Sequence, residues 1–296
     1  MQIHDLEIHL VSDGVVHVDP GGPFGLVPRG LYQKIFPPGE DNLVPMSLTC
    51  LLVRSRGKTI LVDTGLGERL TPEEVHRWQL DRPGGGLIAG LAALGVAPDD
   101  VDVVINTHLH ADHCSGNTRL EAGEVQPSFP RATYLVQRIE WAEAVHTDAR
   151  TQGTYFADNF QPLLRAGRMR LLHGNESITD QVRCVVTPGH TRGHQSVVLE
   201  TGDWSGLYLA DLASYAVHFE RLAWMTAYDA APLETLRTKA QWQAWAADRQ
   251  AWLFFEHDLK MPVGRLERKG NGYRLAAEAK AEPLTSALPT PRPLPE

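Results

Sequence analysis

The sequence predicts a mixed α/β protein made of two largely antiparallel sheets covered by helices. Short β-branched and apolar runs recur through both halves of the chain, and helical stretches are interspersed late in each half. No internal repeat with a fixed period organises them.

Residues 3–18 read as two short strands separated by a turn at Ser12-Asp13-Gly14. Residues 19–42 are punctuated by Gly21, Gly22, Pro23, Gly25, Pro28, Gly30, Pro37, Pro38 and Gly39, a density of breakers that leaves neither helix nor sheet. So long a connection is uncommon in a compact domain unless it is functional, so this arm is expected to wall a pocket or reach a partner subunit. Residues 47–53 and 59–62 form a hairpin that ends in Asp63-Thr64-Gly65. Helices follow at about 71–80 and 86–94, the second stopped by Gly95. Residues 101–105 are a buried strand running into Asn106-Thr107-His108, and 134–136 is another, followed by a helix over about 138–148. Residues 151–172 mix helix formers with loop residues and read as lid-like. Three strands come next, at 182–186, 196–200 and 206–210. The helix over 232–250 offers Leu233, Leu236, Trp242 and Trp245 as apolar anchors. A core strand at 252–256 and a hairpin over 265–275, turning at Gly270-Asn271-Gly272, complete one domain over 1–281. A Pro-rich tail occupies 282–296.

Composition excludes several classes of function. With 28 Lys+Arg against 36 Asp+Glu the net charge is −8, and no clustered basic face is available for a nucleic-acid groove. No window approaches the roughly 20 apolar residues that span a bilayer, so no membrane is expected as a partner. Met1-Gln2-Ile3-His4-Asp5 does not begin a basic-then-apolar secretory signal. Cys50, Cys114 and Cys184 are too few and too scattered for a disulfide framework, which favours a reducing, cytoplasmic location. Cys50 and Cys184, set in apolar runs, read as small buried hydrophobes.

The 13 histidines are unevenly spread, and Thr107-His108-Leu109-His110-Ala111-Asp112-His113 concentrates them. Alternate residues leaving a strand point the same way, so His108 and His110 can converge on one ion. Asp112 and His113, where the chain turns into a helix, can reach a second. Imidazole and carboxylate are ligands that borderline metals accept. One short motif cannot close two metal sites, so further ligands are required at later strand ends. His190 follows the strand 182–186, Asp211 the strand 206–210, and His257 the strand beginning at 252. The expected first set is therefore His108, His110, His190 and Asp211. The second is Asp112, His113, His257 and the same Asp211, each set leaving room for a water. The ions are expected to be Zn²⁺, although Fe, Mn and Co suit such sites as well.

Five segments in this order, Asp63-Thr64-Gly65, His108-x-His110-x-Asp112-His113, Pro188-Gly189-His190-Thr191-x-Gly193-His194, Ala210-Asp211 and Glu256-His257-Asp258, resemble the metallo-β-lactamase superfamily over residues 10–265. The resemblance implies an αβ/βα four-layer sandwich with two metals at the sheet edges. It has no flavodoxin domain and no basic arm, and it is most like the lactonase and organophosphate-hydrolase branch. A hydroxide bridging two metals is then expected to attack a small lactone, ester or phosphotriester, with Asp112 exchanging a proton and Asp211 setting the intermetal distance. Asp63 and His194 are expected to orient ligands rather than to bind metal. Lactonases of this fold place a tyrosine shortly after the bridging aspartate; here the third residue past Asp211 is Ser214, with Tyr215 beside it. Tyr215, His218, Phe219 and Trp224 are the candidates for the substrate pocket. A glyoxalase II-like thioester hydrolase, using Arg265, Arg268 and Lys269 as a cationic patch, is the alternative enzyme, and a non-catalytic binding module of the same fold is a further one. The arm at 19–42 points to a homodimer. His4, His9, His17, His76, His146 and His173 read as surface or satisfied strand histidines.

Overall fold

Successive side chains of a strand point to opposite faces, and residues 50–53 bury all of theirs. Leu51 and Val53 enter a core shared by both sheets, whereas Cys50 and Leu52 enter a second core beneath the helix Gly86–Ala93. The other sheet repeats the pattern. Val197 and Leu199 face the shared core, and Val198 faces a third core with Ala246 of the helix Pro232–Arg249. Strands buried on both faces require helix on either side, so the layers run helix, sheet, sheet, helix. Truncating a central residue such as Leu51 to Ala would cost about 2–5 kcal/mol.

The computed structural model describes residues 1–270 and 272–277. Asn271 and the expected tail over 282–296 lie outside the described residues. The first sheet has seven strands in chain order: Gln2–Ile3, Leu6–Val18, Val44–Ser55, Lys58–Val62, Val103–Ile105, Thr133–Gln137 and Met169–Leu172. The second also has seven: Glu176–Ser177, Val182–Val186, Gln195–Thr201, Trp204–Tyr208, Trp252–Phe254, Val263–Lys269 and Gly272–Ala277. The second sheet is antiparallel except where Trp204–Tyr208 meets Trp252–Phe254. The first departs from the antiparallel expectation, because from Lys58–Val62 onward its pairs are parallel. Parallel neighbours need long crossovers, and the helices Pro72–Trp78, Gly86–Ala93 and Arg138–Val145 lie within them.

Several local expectations are corrected. Ser12-Asp13-Gly14 is a β-bulge inside one continuous strand, Leu6–Val18, rather than a turn between two. The bulge turns Asp13 inward, where its carboxylate accepts from the backbone of Leu66, Gly67 and Leu87 and from Arg82. Gly14 sits at φ +142° with the Asp81 carbonyl 2.8 Å from where a Cβ would be, so a side chain there would be strained.

The arm also forms helix after all, as two single turns, Gly21–Phe24 and Arg29–Tyr32. Pro23 and Pro28 are tolerated because first-turn N–H groups have no partner within the helix. The arm folds onto its own chain: Phe24 stacks on Tyr32 at 4.7 Å, and Phe36 lies 4.7 Å from Tyr215. Residues 151–172 resolve into a 3-10 turn, the helix Gln161–Arg165 and the edge strand Met169–Leu172. Leu233 is exposed, so it anchors nothing. The buried face of its helix is instead mostly polar, with Thr235, Thr238, Lys239, Gln243 and Ala246. The Lys239 ammonium donates to the carbonyls of His218 and Trp224, and the Gln243 amide donates to that of Phe219. This helix therefore buttresses the segment after Asp211 through hydrogen bonds.

Candidate metal centre

Three loops leave strand ends on one rim of the sandwich and meet a fourth. Val103–Ile105 delivers residues 106–113, Val182–Val186 delivers 187–194, Trp204–Tyr208 delivers 209–214, and Trp252–Phe254 delivers 255–258. Ala210 on one of these paths, at φ +48°, and Asp63 just past the strand Lys58–Val62, at φ +56°, adopt the left-handed region without being glycine. Such strain persists where the surroundings over-determine it, and here it borders the cluster.

Ligand-capable atoms of His108, His110, His190 and Asp211 lie within 4.8 Å of one another, as do those of Asp112, His113 and His257. Asp211 reaches both groups. Its Oδ2 lies 3.1 Å from His190 Nε2, 3.3 Å from His113 Nε2 and 3.7 Å from His108 Nε2. Its Oδ1 lies 3.3 Å from His257 Nε2. Asp112 Oδ2 stands 3.7 Å from His113 Nε2 and 3.9 Å from His257 Nε2, and it is the more open of the two carboxylates.

The donor set fits divalent cations on a further observation. Among the described residues the Nε2 atoms of His108, His113 and His257 are buried without a well-oriented hydrogen bond, although Asp211 stands near each. Leaving such nitrogens unpaired is costly unless something else takes their lone pairs. Their other ring nitrogens, where held, are held from behind. His257 Nδ1 is 2.7 Å from the Ser47 carbonyl, and His190 Nδ1 is 3.0 Å from Asp229 Oδ1. His113 Nδ1 lies 3.2 Å from Asp63 Oδ2 and 3.1 Å from Glu256 Oε2. These contacts fix each tautomer so that Nε2 faces inward.

Asp63 accepts from both the backbone N–H and the hydroxyl of Thr107 at 2.7 Å, which fixes the chain where it enters the motif. His194 Nε2 accepts from the Asp211 backbone N–H at 3.2 Å, while its Nδ1 pairs with Thr187 Oγ1 at 2.8 Å. The Ser214 hydroxyl donates to Asp211 Oδ1 at 2.5 Å. Asp258 accepts from the Ala216 N–H and caps the short helix Ala216–Glu220.

The electrostatics follow from burial and charge balance. Burial, reinforced by neighbouring imidazoles, holds His108 and His110 well below the usual range, and it pushes His194 down to about 3. Burial also opposes charge on His190 and His257, but the carboxylates of Asp211 and their neighbours outweigh it, raising them to about 10 and about 9. Burial together with the Glu256 carboxylate pushes Asp63 up to about 7. Cations entering the site would therefore displace protons from imidazoles as they bind.

A cleft of about 770 Å³ opens over the cluster. Val18, Pro23, Met46 and Trp78 line it, as do Tyr155 and Tyr228 from elsewhere in the chain. The four expected pocket residues are not among its lining. Tyr215 and Phe219 are fully buried in the core, Tyr215 donating to the Pro45 carbonyl, and His218 is buried between aromatic rings. Trp224 borders a separate shallow cavity. The cause is the helix Ala216–Glu220, which turns these residues into the body of the domain. Arg265, Arg268 and Lys269 do not line the cleft either, and Arg268, on the second sheet's outer hairpin, pairs with Asp248 of the helix Pro232–Arg249. His146, read from sequence as an ordinary surface residue, does line it. Sequence reasoning also missed Glu140, Asp229, Tyr155 and Tyr228, none of which lies in a recognisable motif.

A family model described as the metallo-beta-lactamase superfamily matches residues 44–238, more than half of the chain. The chain belongs to the metallo-beta-lactamase superfamily. N-acyl homoserine lactonase AiiA from Bacillus thuringiensis subsp. kurstaki is 27% identical over 237 residues, covering 75% of this chain and 85% of the relative. A crystal structure of a probable metal-dependent hydrolase from Staphylococcus aureus superposes with a TM-score of 0.85 at 26% identity, covering 94% of this chain and 99% of the other. AidC, described as a dizinc quorum-quenching lactonase, shares the fold at a TM-score of 0.76 and 20% identity, over 94% and 96% of the two chains. The superfamily is one of metal-dependent hydrolases, and the two-sheet architecture is the αβ/βα sandwich that the motifs implied. Among the described residues no helix is long and apolar enough to cross a membrane.

Proposed function

We propose that this protein is a binuclear metal-dependent hydrolase of small lactones. The observation that carries the reading is the convergence, on a cleft floor, of five imidazoles and two carboxylates, three of the imidazoles burying an Nε2 that finds no well-oriented hydrogen bond among the described residues. His108, His110 and His190 would hold one ion, Asp112, His113 and His257 the other, with Asp211 shared. Two divalent ions, Zn²⁺ foremost, would lower the pKa of a water and offset charge on the substrate oxygen.

The chain's own residues supply the rest. Ser214 and His194 hold the Asp211 side chain and backbone, so the shared carboxylate cannot swing towards one group. Asp112, which lines the cleft, would take and return a proton through its carboxylate. The apolar wall of Val18, Pro23, Met46 and Trp78 suits a substrate with an apolar portion beside its ester group. Relatives named N-acyl homoserine lactonase, matched over most of their length, support a lactone over a thioester, and the lack of cationic side chains from 265–269 in the cleft agrees.

The test is hydrolysis of a lactone panel, paraoxon and a glutathione thioester by metal-reconstituted protein, beside His110→Ala. Lactone turnover that collapses in the variant together with bound metal is the expected result. Full activity in His110→Ala would remove the mechanism. A homodimer is part of the same reading, supported by the exposed Leu26 and Leu31 on the arm; a monomer by light scattering at micromolar concentration would refute it.

A further inference from the structure

Glu140 lies on the helix Arg138–Val145, outside every motif of the site, and is completely buried. A buried carboxylate is expensive unless its oxygens are satisfied. Here three donors from three segments satisfy it. The Leu109 backbone N–H donates to Oε1 at 2.9 Å, the Tyr155 hydroxyl to the same oxygen at 2.9 Å, and the Thr191 hydroxyl to Oε2 at 2.5 Å. Leu109 is the residue between His108 and His110, and Thr191 follows His190. Tyr155 is a wall of the cleft, its ring centroid 4.9 Å from that of His110.

The contact is enforced by sequence. A Cβ on Gly193 would lie 2.2 Å from the Glu140 backbone nitrogen, so only glycine lets the 190–194 loop seat against the start of this helix. All three imidazoles of the first group thus belong to loops tied to one carboxylate. Among the described residues Glu140 makes no hydrogen bond to 111–113 or to the 255–258 loop; its one bond to the 106–113 loop is at Leu109, between His108 and His110.

We propose that Glu140 is a positioning residue for the first cation group, setting the spacing of His108, His110 and His190 and linking it to the cleft wall through Tyr155. This rests on the metal-dependent reading above and adds an asymmetry to it: losing Glu140 weakens one ion and spares the other. Removal of groups that orient ligands lowers metal affinity by on the order of ten- to a hundredfold.

Wild type, Glu140→Ala, Glu140→Gln, Thr191→Val and Tyr155→Phe would be titrated with Zn²⁺ against a chromophoric chelator, with circular dichroism and melting curves recorded alongside. Wild type is expected to bind two equivalents. Glu140→Ala should keep one and bind the other on the order of ten- to a hundredfold more weakly. Glu140→Gln should recover most of that loss, because its amide oxygen still accepts from Leu109 and its amide N–H can donate to Thr191 Oγ1. Thr191→Val and Tyr155→Phe each delete one donor and should weaken the same single ion by smaller factors, which keeps the test decisive if Glu140→Ala does not fold. Two equivalents at wild-type affinity in a folded Glu140→Ala, or in both single-donor variants, would overturn the proposal. So would equal weakening of both ions. Wild type binding less than one equivalent would instead remove the binuclear reading itself.

Discussion

The two groups of side chains around Asp211 are built from similar atoms and held in different ways. The first, with His108, His110 and His190, leans on side chains: Asp229 stands behind His190, and Glu140 ties the loops together. The second leans on the backbone and on a buried acidic pair. His257 is fixed by the Ser47 carbonyl, and Ser47 N–H returns a bond to the His257 carbonyl at 3.1 Å, joining the strand Val44–Ser55 of the first sheet to the loop that leaves the second. His113 is clamped between Asp63 and Glu256. The first group should therefore yield to single substitutions at a distance, whereas the second should yield mainly to changes in its own residues.

The largest effect should erase the contrast. Asp211→Ala removes the carboxylate that faces both groups, so both ions should be lost and hydrolysis should fall by on the order of a thousandfold or more, since water activation and oxyanion stabilisation are each worth several kcal/mol. Metal analysis and steady-state rates check it; two retained equivalents would break the shared-carboxylate picture. Asp229→Ala should sharpen the contrast. His190 loses its partner at Nδ1, and one ion should bind on the order of ten- to a hundredfold more weakly while the other is unchanged. Chelator competition reads this, and a uniform loss at both sites would contradict the division.

The effect most remote from the ions, and the one expected to leave both ion affinities alone, concerns the support beneath the site. Burial lowers Lys239 from 10.5 to about 8, with Asp229 opposing in part. The folded state therefore holds this proton less tightly than the unfolded chain does. The resulting stabilisation is full above pH 10.5 and is lost as pH falls through about 8. Wild type should gain stability over Lys239→Met between those values, by about 3 kcal/mol at most. Denaturant midpoints that run parallel with pH would show that Lys239 titrates normally.

Some of this was legible along the chain and some was not. Residues 108–113 are close in sequence, and strand periodicity alone says which of them share a side, so that motif could be read directly. The ends of Val182–Val186 and Trp204–Tyr208 are strand-to-loop transitions in the sequence, which puts His190 and Asp211 at strand ends. Ser12-Asp13-Gly14 has turn chemistry, yet pairing with Val44–Ser55 absorbs it as a bulge. Tyr215 and Phe219 follow Asp211 and so suggest a pocket, but the five-residue helix Ala216–Glu220, which Tyr215 precedes, directs them into the core. Leu233 is an anchor by type, but the face it occupies points to solvent.

The chemical character of the centre is written along the chain: which imidazoles and carboxylates exist, and that their loops follow strands. Those properties depend on short-range spacing and local propensity. What stands behind each ligand, and what walls the cleft, comes from packing between distant segments. Glu140 meets Leu109 from 31 residues away and Thr191 from 51, and His257 meets Ser47 from 210. Contacts of that range leave no period or motif along the chain; they exist because two sheets buried on both faces can pack in one register.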